Sequence, residues 1–141
     1  MRNVVTPRVI EILAEVEESV EVVTQAKTMP KGVYADPEFF EFELEAIHAK
    51  EWLCLGRADQ VKQPGDYVRI DIGREPLLVV RDWDDEVRVL SAVCWHRGCV
   101  VNEGEGNLGK LIRCPLHSWT YSLDGTLQGA PVMEPTASIN E

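Results

Sequence analysis

The chain has 141 residues, 45% of them apolar, which suffices for one domain with a genuine core and gives no reason by length to expect two. Its 24 acidic residues against 14 basic ones leave a formal charge of −10, which argues against a nucleic-acid or anionic-membrane surface and for small or basic partners. No run of about 18 apolar residues and no charged-then-apolar leader is present, so the expectation is a cytoplasmic protein with no membrane contact, whose four cysteines bind metal or stay reduced.

Residues 6–27 open with Thr6 as a helix cap and Pro7 in the first turn. Apolar residues recur at Val9, Leu13, Val16, Val20 and Val23, one helical stripe, with Glu11, Glu15, Glu17, Glu18 and Glu21 on the other faces. The valine content lowers helix propensity, so residues 1–32 read as a helical arm that packs on something else. After the break at "MPKG", the stretch "YADPEFFEFELEAIHAKEW" predicts a second helix within 33–51, capped by Asp36 with Pro37 at its first position. Phe40, Leu44 and Ile47 form its expected buried stripe. His48 lies beside that stripe without a partner one turn away and reads as structural.

From Trp52 the texture becomes short β-branched and apolar runs separated by turns: "WLCLG", "DYVRIDI", "PLLVVRD", "VRVLSAV", "KLIRC", "TYSL" and "TLQG". Residues 52–131 therefore read as an antiparallel β domain, and residues 132–141 as a linker or a cut end. "QPGD" and "DWDDE" are connections, and Asp124-Gly125 signals a hairpin between the last two strands. Cys54, in an apolar run, reads as a small buried hydrophobe.

Chemistry concentrates in "CWHRGC", residues 94–99, and "CPLHSW", which begins at Cys114. Cys94 and His96 are two apart, Cys114 and His117 three apart, and each pair sits in a loop after a predicted strand, so each loop presents one thiolate and one imidazole to a shared centre. Two of the three histidines and two of the four cysteines fall in this pattern, which makes coincidence a poor account. A structural zinc site with two Cys and two His remains an alternative. Zinc fingers, however, keep like ligands together, whereas one Cys and one His per loop suits a binuclear iron cluster whose two irons are each reached from both loops. Gly98 and Pro115 fit loops whose backbone must approach cluster sulfides closely.

CWHRG with CPLHSWTYSLDGTL resembles the cluster-binding loops of Rieske proteins, with 17 residues between His96 and Cys114. The flanking "YADPEFFEFELEAIHAKEW", "PGDYVRIDIGREPLLVVRD", Trp119, Tyr121 and "LDG" are similar to the N-terminal Rieske domain of aromatic-ring-hydroxylating oxygenase α-subunits, over residues 33–131. The resemblance implies a mostly β fold, a Rieske-type antiparallel sandwich with a cluster-binding subdomain, preceded by N-terminal helices. It implies a [2Fe–2S] cluster bound by Cys94, His96, Cys114 and His117, the cysteines on a buried ferric ion and the histidines on the iron that changes valence nearer the surface. A Tyr121 hydroxyl bond to a ligand sulfur is implied as well, while Trp119 and Tyr121 also suffice as packing beneath the second loop. Trp95 and Arg97 are placed to shape a docking surface, and Arg97 equally to make a local salt bridge.

In that family the cluster takes electrons singly from a reductase or ferredoxin and passes them to a mononuclear non-haem iron, held by two histidines and a carboxylate in a following catalytic domain. With His96 and His117 on the cluster, only His48 is left, so this chain cannot house that second iron, and the expectation is a self-contained electron-transfer domain of an oxygenase. The full-length protein is expected to pair with its catalytic domain and to form a homotrimer. A freestanding Rieske ferredoxin is the alternative, which the long helical N-terminus disfavours and the missing catalytic domain favours. A zinc-stabilised binding module is the other. In high-potential Rieske proteins a cysteine five residues after the first ligand pairs with one two residues after the second ligand cysteine. Here those positions hold Cys99 and Leu116, so Cys99 is expected to remain a free thiol.

Overall fold

A computed structural model describes residues 4–131, and the expectation for the tail at 132–141 lies outside them. The chain divides into two compact units, before and after the Leu53–Cys54 peptide. Among the described residues no helix is long and apolar enough to cross a membrane.

The first unit is helical. Helix α1 spans Pro7–Val16, where Thr6 Oγ1 accepts the Val9 N–H at 3.2 Å as its cap. A short 3₁₀ turn follows at Glu17–Ser19, so the helix stops eleven residues before the expected end at 27. Acidic Glu15, Glu17, Glu18 and Glu21 crowd the C-terminal end, where the helix dipole disfavours negative charge, and valine adds little propensity to offset it. The buried face also differs from the expected stripe: Val9 and Ile12 are buried, whereas Leu13, Val20 and Val23 are exposed. Helix α2 covers Lys31–Ala35 and helix α3 Pro37–Glu43, the latter capped by Asp36, whose carboxylate accepts the Glu38 and Phe39 N–H groups. Arg8 holds the Asp36 carboxyl below its usual range, against the opposing effect of burial, and the two capping N–H groups add to the lowering.

The face of α3 follows from where α1 lies. Phe39 joins Val9 and Ile12 in one small core, with Val33 and Phe42 packed against it. Phe40 and Ile47, two of the three residues of the expected stripe, are exposed, and Leu44 is half-buried. Beyond Glu43 the chain winds into a π turn, Leu44–His48, closed by the Ala49 N–H on the Leu44 carbonyl at 3.0 Å; the extra residue in that turn rotates the face again. His48 is exposed there.

The second unit is two antiparallel sheets. Strands β1 (Asp66–Ile72), β2 (Glu75–Arg81), β3 (Val87–Ser91) and β4 (Glu105–Asn107) form the first, in the order β3-β2-β1-β4. Strands β5 (Ile112–Arg113), β6 (Thr120–Tyr121) and β7 (Leu127–Gly129) form the second in chain order. Leu78 and Val80 of β2, Ile112 of β5 and Tyr121 of β6 lie in a single buried cluster, so the two sheets share one core, and Cys94 and Cys114 belong to it. The β1–β2 connection is a tight turn at Gly73-Arg74 between the paired Ile72 and Glu75. In the "DWDDE" turn, buried Asp82 accepts the Asp84 and Glu86 N–H groups and pairs with Arg88 at 2.7 Å.

Two features from residue 52 onward depart from expectation. "WLCLG" forms no strand; burial alternates along it, with Leu53 and Leu55 half-buried and Trp52 and Cys54 exposed. That parity puts Cys54 outward, so it is a surface thiol and not a core residue. Strand β4 was not expected, because Glu-Gly-Asn has low strand propensity and no apolar alternation; it pairs with β1 through Asp66–Asn107.

Candidate metal centre

Both cysteine-histidine pairs sit at the tips of short antiparallel ladders. Val93 pairs with Val100 around the first loop, and Arg113 with Thr120 around the second. The two loops are closed by the same backbone bonds. In the first, Cys94 N–H donates to the Cys99 carbonyl at 2.8 Å and Gly98 N–H to the Cys94 carbonyl at 2.9 Å. In the second, Cys114 N–H donates to the Trp119 carbonyl at 2.8 Å and Ser118 N–H to the Cys114 carbonyl at 3.1 Å. The fourth residue after each cysteine takes the left-handed conformation the turn requires, Gly98 at φ 71° and Ser118 at φ 59°. This repeated frame was not read from the sequence, where only the glycine signals it.

The four expected residues meet two by two: the Cys114 thiol neighbours that of Cys94, and the His96 ring meets that of His117. Cys94 and Cys114 are each 2% exposed, His96 is half-buried and His117 is exposed, so thiols lie within and imidazoles toward the surface. The two histidine rings meet edge to face, with centroids 4.7 Å apart and an 81° interplanar angle. His96 Nδ1 is buried and has no hydrogen-bond partner among the described residues, the condition of a ring nitrogen left for a metal. Burial pushes the Cys114 thiol up, but the Leu116 and His117 N–H groups and the nearby Cys94 and Cys99 thiols outweigh it, so its thiolate forms more readily than that of an ordinary cysteine. A two-iron cluster takes only two protein ligands per metal, and this donor set suits it.

The strand leaving the second loop clasps the first. The Tyr121 hydroxyl lies 3.2 Å from Cys94 Sγ and accepts the Trp95 N–H at 3.3 Å. Burial, and then the Cys94 contact, push the Tyr121 phenol up to about 12. Trp119 stacks on His96, centroids 4.8 Å apart and planes 13° apart, a contact that spacing alone could not reveal. Cys99 is free and half-buried against the core, its Sγ 3.3 Å from the Val100 carbonyl, and burial followed by the neighbouring Cys114 raises its thiol. Leu116, at the expected position opposite it, is exposed. Trp95 is 80% exposed, and Arg97 makes no ion pair among the described residues, which leaves both at the rim of the site.

A family model described as the Rieske [2Fe-2S] domain matches residues 51–140. The chain belongs to the Rieske [2Fe-2S] domain family. The Rieske domain here is 39% identical over 102 residues to the carnitine monooxygenase oxygenase subunit of Acinetobacter baumannii, a match covering 72% of this chain and 28% of that protein. It is 34% identical over 110 residues to the benzene 1,2-dioxygenase subunit alpha of Pseudomonas putida, covering 77% and 24%. Among solved structures, the quaternary ammonium Rieske monooxygenase CntA in complex with L-carnitine superposes with a TM-score of 0.70 at 38% identity, over 76% of this chain and 30% of that one. Naphthalene 1,2-dioxygenase from Rhodococcus sp. superposes at 0.72 with 32% identity, over 89% and 27%. The chain thus spans less than a third of the length of these relatives. Mono- and dioxygenase subunits stand side by side among them, and a [2Fe–2S] cluster is the group a Rieske domain carries.

Proposed function

We propose that this Rieske domain is the electron-transfer part of an oxygenase terminal component, with Cys94, His96, Cys114 and His117 as the cluster ligands. The observation that carries the assignment is the pairing of two buried thiols with two imidazoles 4.7 Å apart, one of which keeps its buried Nδ1 unpartnered. When bound, the cluster supplies a one-electron couple whose neutral imidazole ligands raise its potential above that of an all-thiolate centre. Cys94 and Cys114 would hold one iron as thiolates, and the Leu116 and His117 N–H groups favour the charged form of Cys114. His96 and His117 would hold the other iron, and the exposed His117 would give electrons a route to the surface.

The donor is a reductase or a ferredoxin. The acceptor is a mononuclear non-haem iron in the catalytic domain of the oxygenase, outside these residues, since His48 is the sole remaining histidine and stands exposed on the π turn. A trimer, as in the family resembled, would bring each Rieske domain to the iron of a neighbouring subunit. Purified chain should be red-brown, contain iron and sulfide in equal amounts, and show a Rieske-type spin resonance signal on reduction. Alanine at any of the four ligands should remove that signal. A colourless chain that holds zinc would overturn the assignment.

A further inference from the structure

We propose that Trp119 is a positioning residue for His96 and thereby sets the reduction potential of the centre; this rests on the ligand assignment above. The indole is 5% exposed and lies nearly parallel to the His96 ring, 13° apart at 4.8 Å between centroids. Its own carbonyl accepts the Cys114 N–H, so the second loop's closing residue fixes the plane of an imidazole in the first. The His117 ring stands nearly perpendicular to it, at 81° with centroids 4.7 Å apart. Held by one neighbour face to face and another edge to face, the His96 ring cannot turn without meeting one of them, and its buried Nδ1 stays clear of any competing donor among the described residues. His117 is exposed and stacks on no aromatic face among the described residues, so the constraint acts on one histidine only.

Packing alone would place an indole here, since Trp119 belongs to the buried cluster. Filling, however, does not require alignment: Phe39 and Phe42 pack in the helical unit at 51°. The aligned face has an electrostatic consequence. The negative face of an aromatic ring favours positive charge on what it covers, here the imidazole and the iron it holds, and so favours the oxidised state. The indole also excludes water, which would favour the more negative reduced state. Both effects lower the potential, and loss of the indole raises it.

The test uses the full chain as wild type, W119L and W119F, with iron and sulfide content, reduction potential and the two histidine nitrogen couplings of the reduced protein as readouts. In W119L the ratio of reduced to oxidised protein at the wild-type midpoint should rise about fivefold, the equivalent of roughly 1 kcal/mol for a shielded cation–π contact. One nitrogen coupling should change and the other stay. W119F, with a weaker ring face, should show the same changes at smaller size. An iron-replete W119L with unchanged potential, or with both couplings shifted equally, overturns the proposal. If W119L does not assemble, a W119F indistinguishable from wild type overturns it. A wild-type chain without iron and sulfide overturns the ligand assignment itself, an outcome visible before any variant is compared.

Discussion

The Tyr121 hydroxyl reaches Cys94 Sγ at 3.2 Å, from the strand that leaves the loop to which Cys94 does not belong. With Cys94 as the proposed ligand, a hydrogen bond to its sulfur stabilises the reduced, more negative centre. Tyr121→Phe should therefore lower the reduction potential by on the order of 40 mV, taking about 1 kcal/mol for the bond and about 59 mV per tenfold change. The iron content should be unchanged, and protein-film voltammetry measures the shift. The sign is opposite to that expected for Trp119, so the two residues tune the centre from opposite directions.

Cys99 lies beside Cys114 yet has no role in the proposed ligand set. Cys99→Ala should keep full iron and sulfide, whereas Cys114→Ala should lose both. In unfolded wild-type chain freed of iron, a thiol reagent should count all four cysteines. In the folded, loaded protein, exposed Cys54 should react quickly and Cys99 slowly, because burial holds its thiol above the ordinary value. Loss of the cluster in Cys99→Ala would show that the ligands had been assigned wrongly.

Gly98 and Gly65 both take positive φ, at 71° and 91°, but their surroundings differ. A Cβ on Gly98 would meet nothing within 4 Å, so Gly98→Ala should cost only the backbone term, about 1–2 kcal/mol in denaturant unfolding, with the cluster retained. On Gly65 the added carbon would stand 2.8 Å from both the Gly109 carbonyl and Asn107 Oδ1. Gly65→Ala should therefore be clearly the more damaging of the two, because β1 and the segment after β4 would have to separate.

Asp82 is buried in the turn between β2 and β3, where the Arg88 guanidinium holds its carboxyl below the usual range, against burial and with help from the Glu86 and Asp84 N–H groups. A depressed folded value means the stabilisation is present above the unfolded carboxyl value, near 4, and is lost as pH falls through the folded one. Asp82→Asn should lower the unfolding midpoint at neutral pH. The gap from wild type should narrow as pH is lowered from 5 toward 2, and thermal melts across that range measure it. A gap that widens on acidification would contradict the assignment.

The Rieske family and the two cysteine-histidine loops were legible in the sequence, and the scaffold around them less so. Cys94, His96, Cys114 and His117 could be proposed as ligands from sequence because ligand chemistry restricts residue type and loop length restricts spacing, both of which are one-dimensional. The cap residues Thr6 and Asp36 were legible for the same local reason. The buried face of α3 was not, because Phe39 or Phe40 could equally have been inward until α1 placed Val9 and Ile12 against one of them. Cys54 failed by a single step of parity, in a run apolar at every position but the last. Ser118 in the left-handed region carries no local signal at all; its conformation is imposed by the same closing bonds that Gly98 accepts without strain.

The clasp of Trp119 and Tyr121 across to the first loop bears on how such a tip could be exchanged between proteins. Each loop has its own closing bonds, which suggests two separable grafts, yet the side chains that hold His96 and Cys94 in place are encoded some twenty-five residues downstream. A donor's residues 94–99 set into this scaffold would meet the recipient's Trp119 and Tyr121, and a donor's 114–121 would bring clasps shaped for a different partner. The transplantable unit is both loops together with the strand that leaves the second.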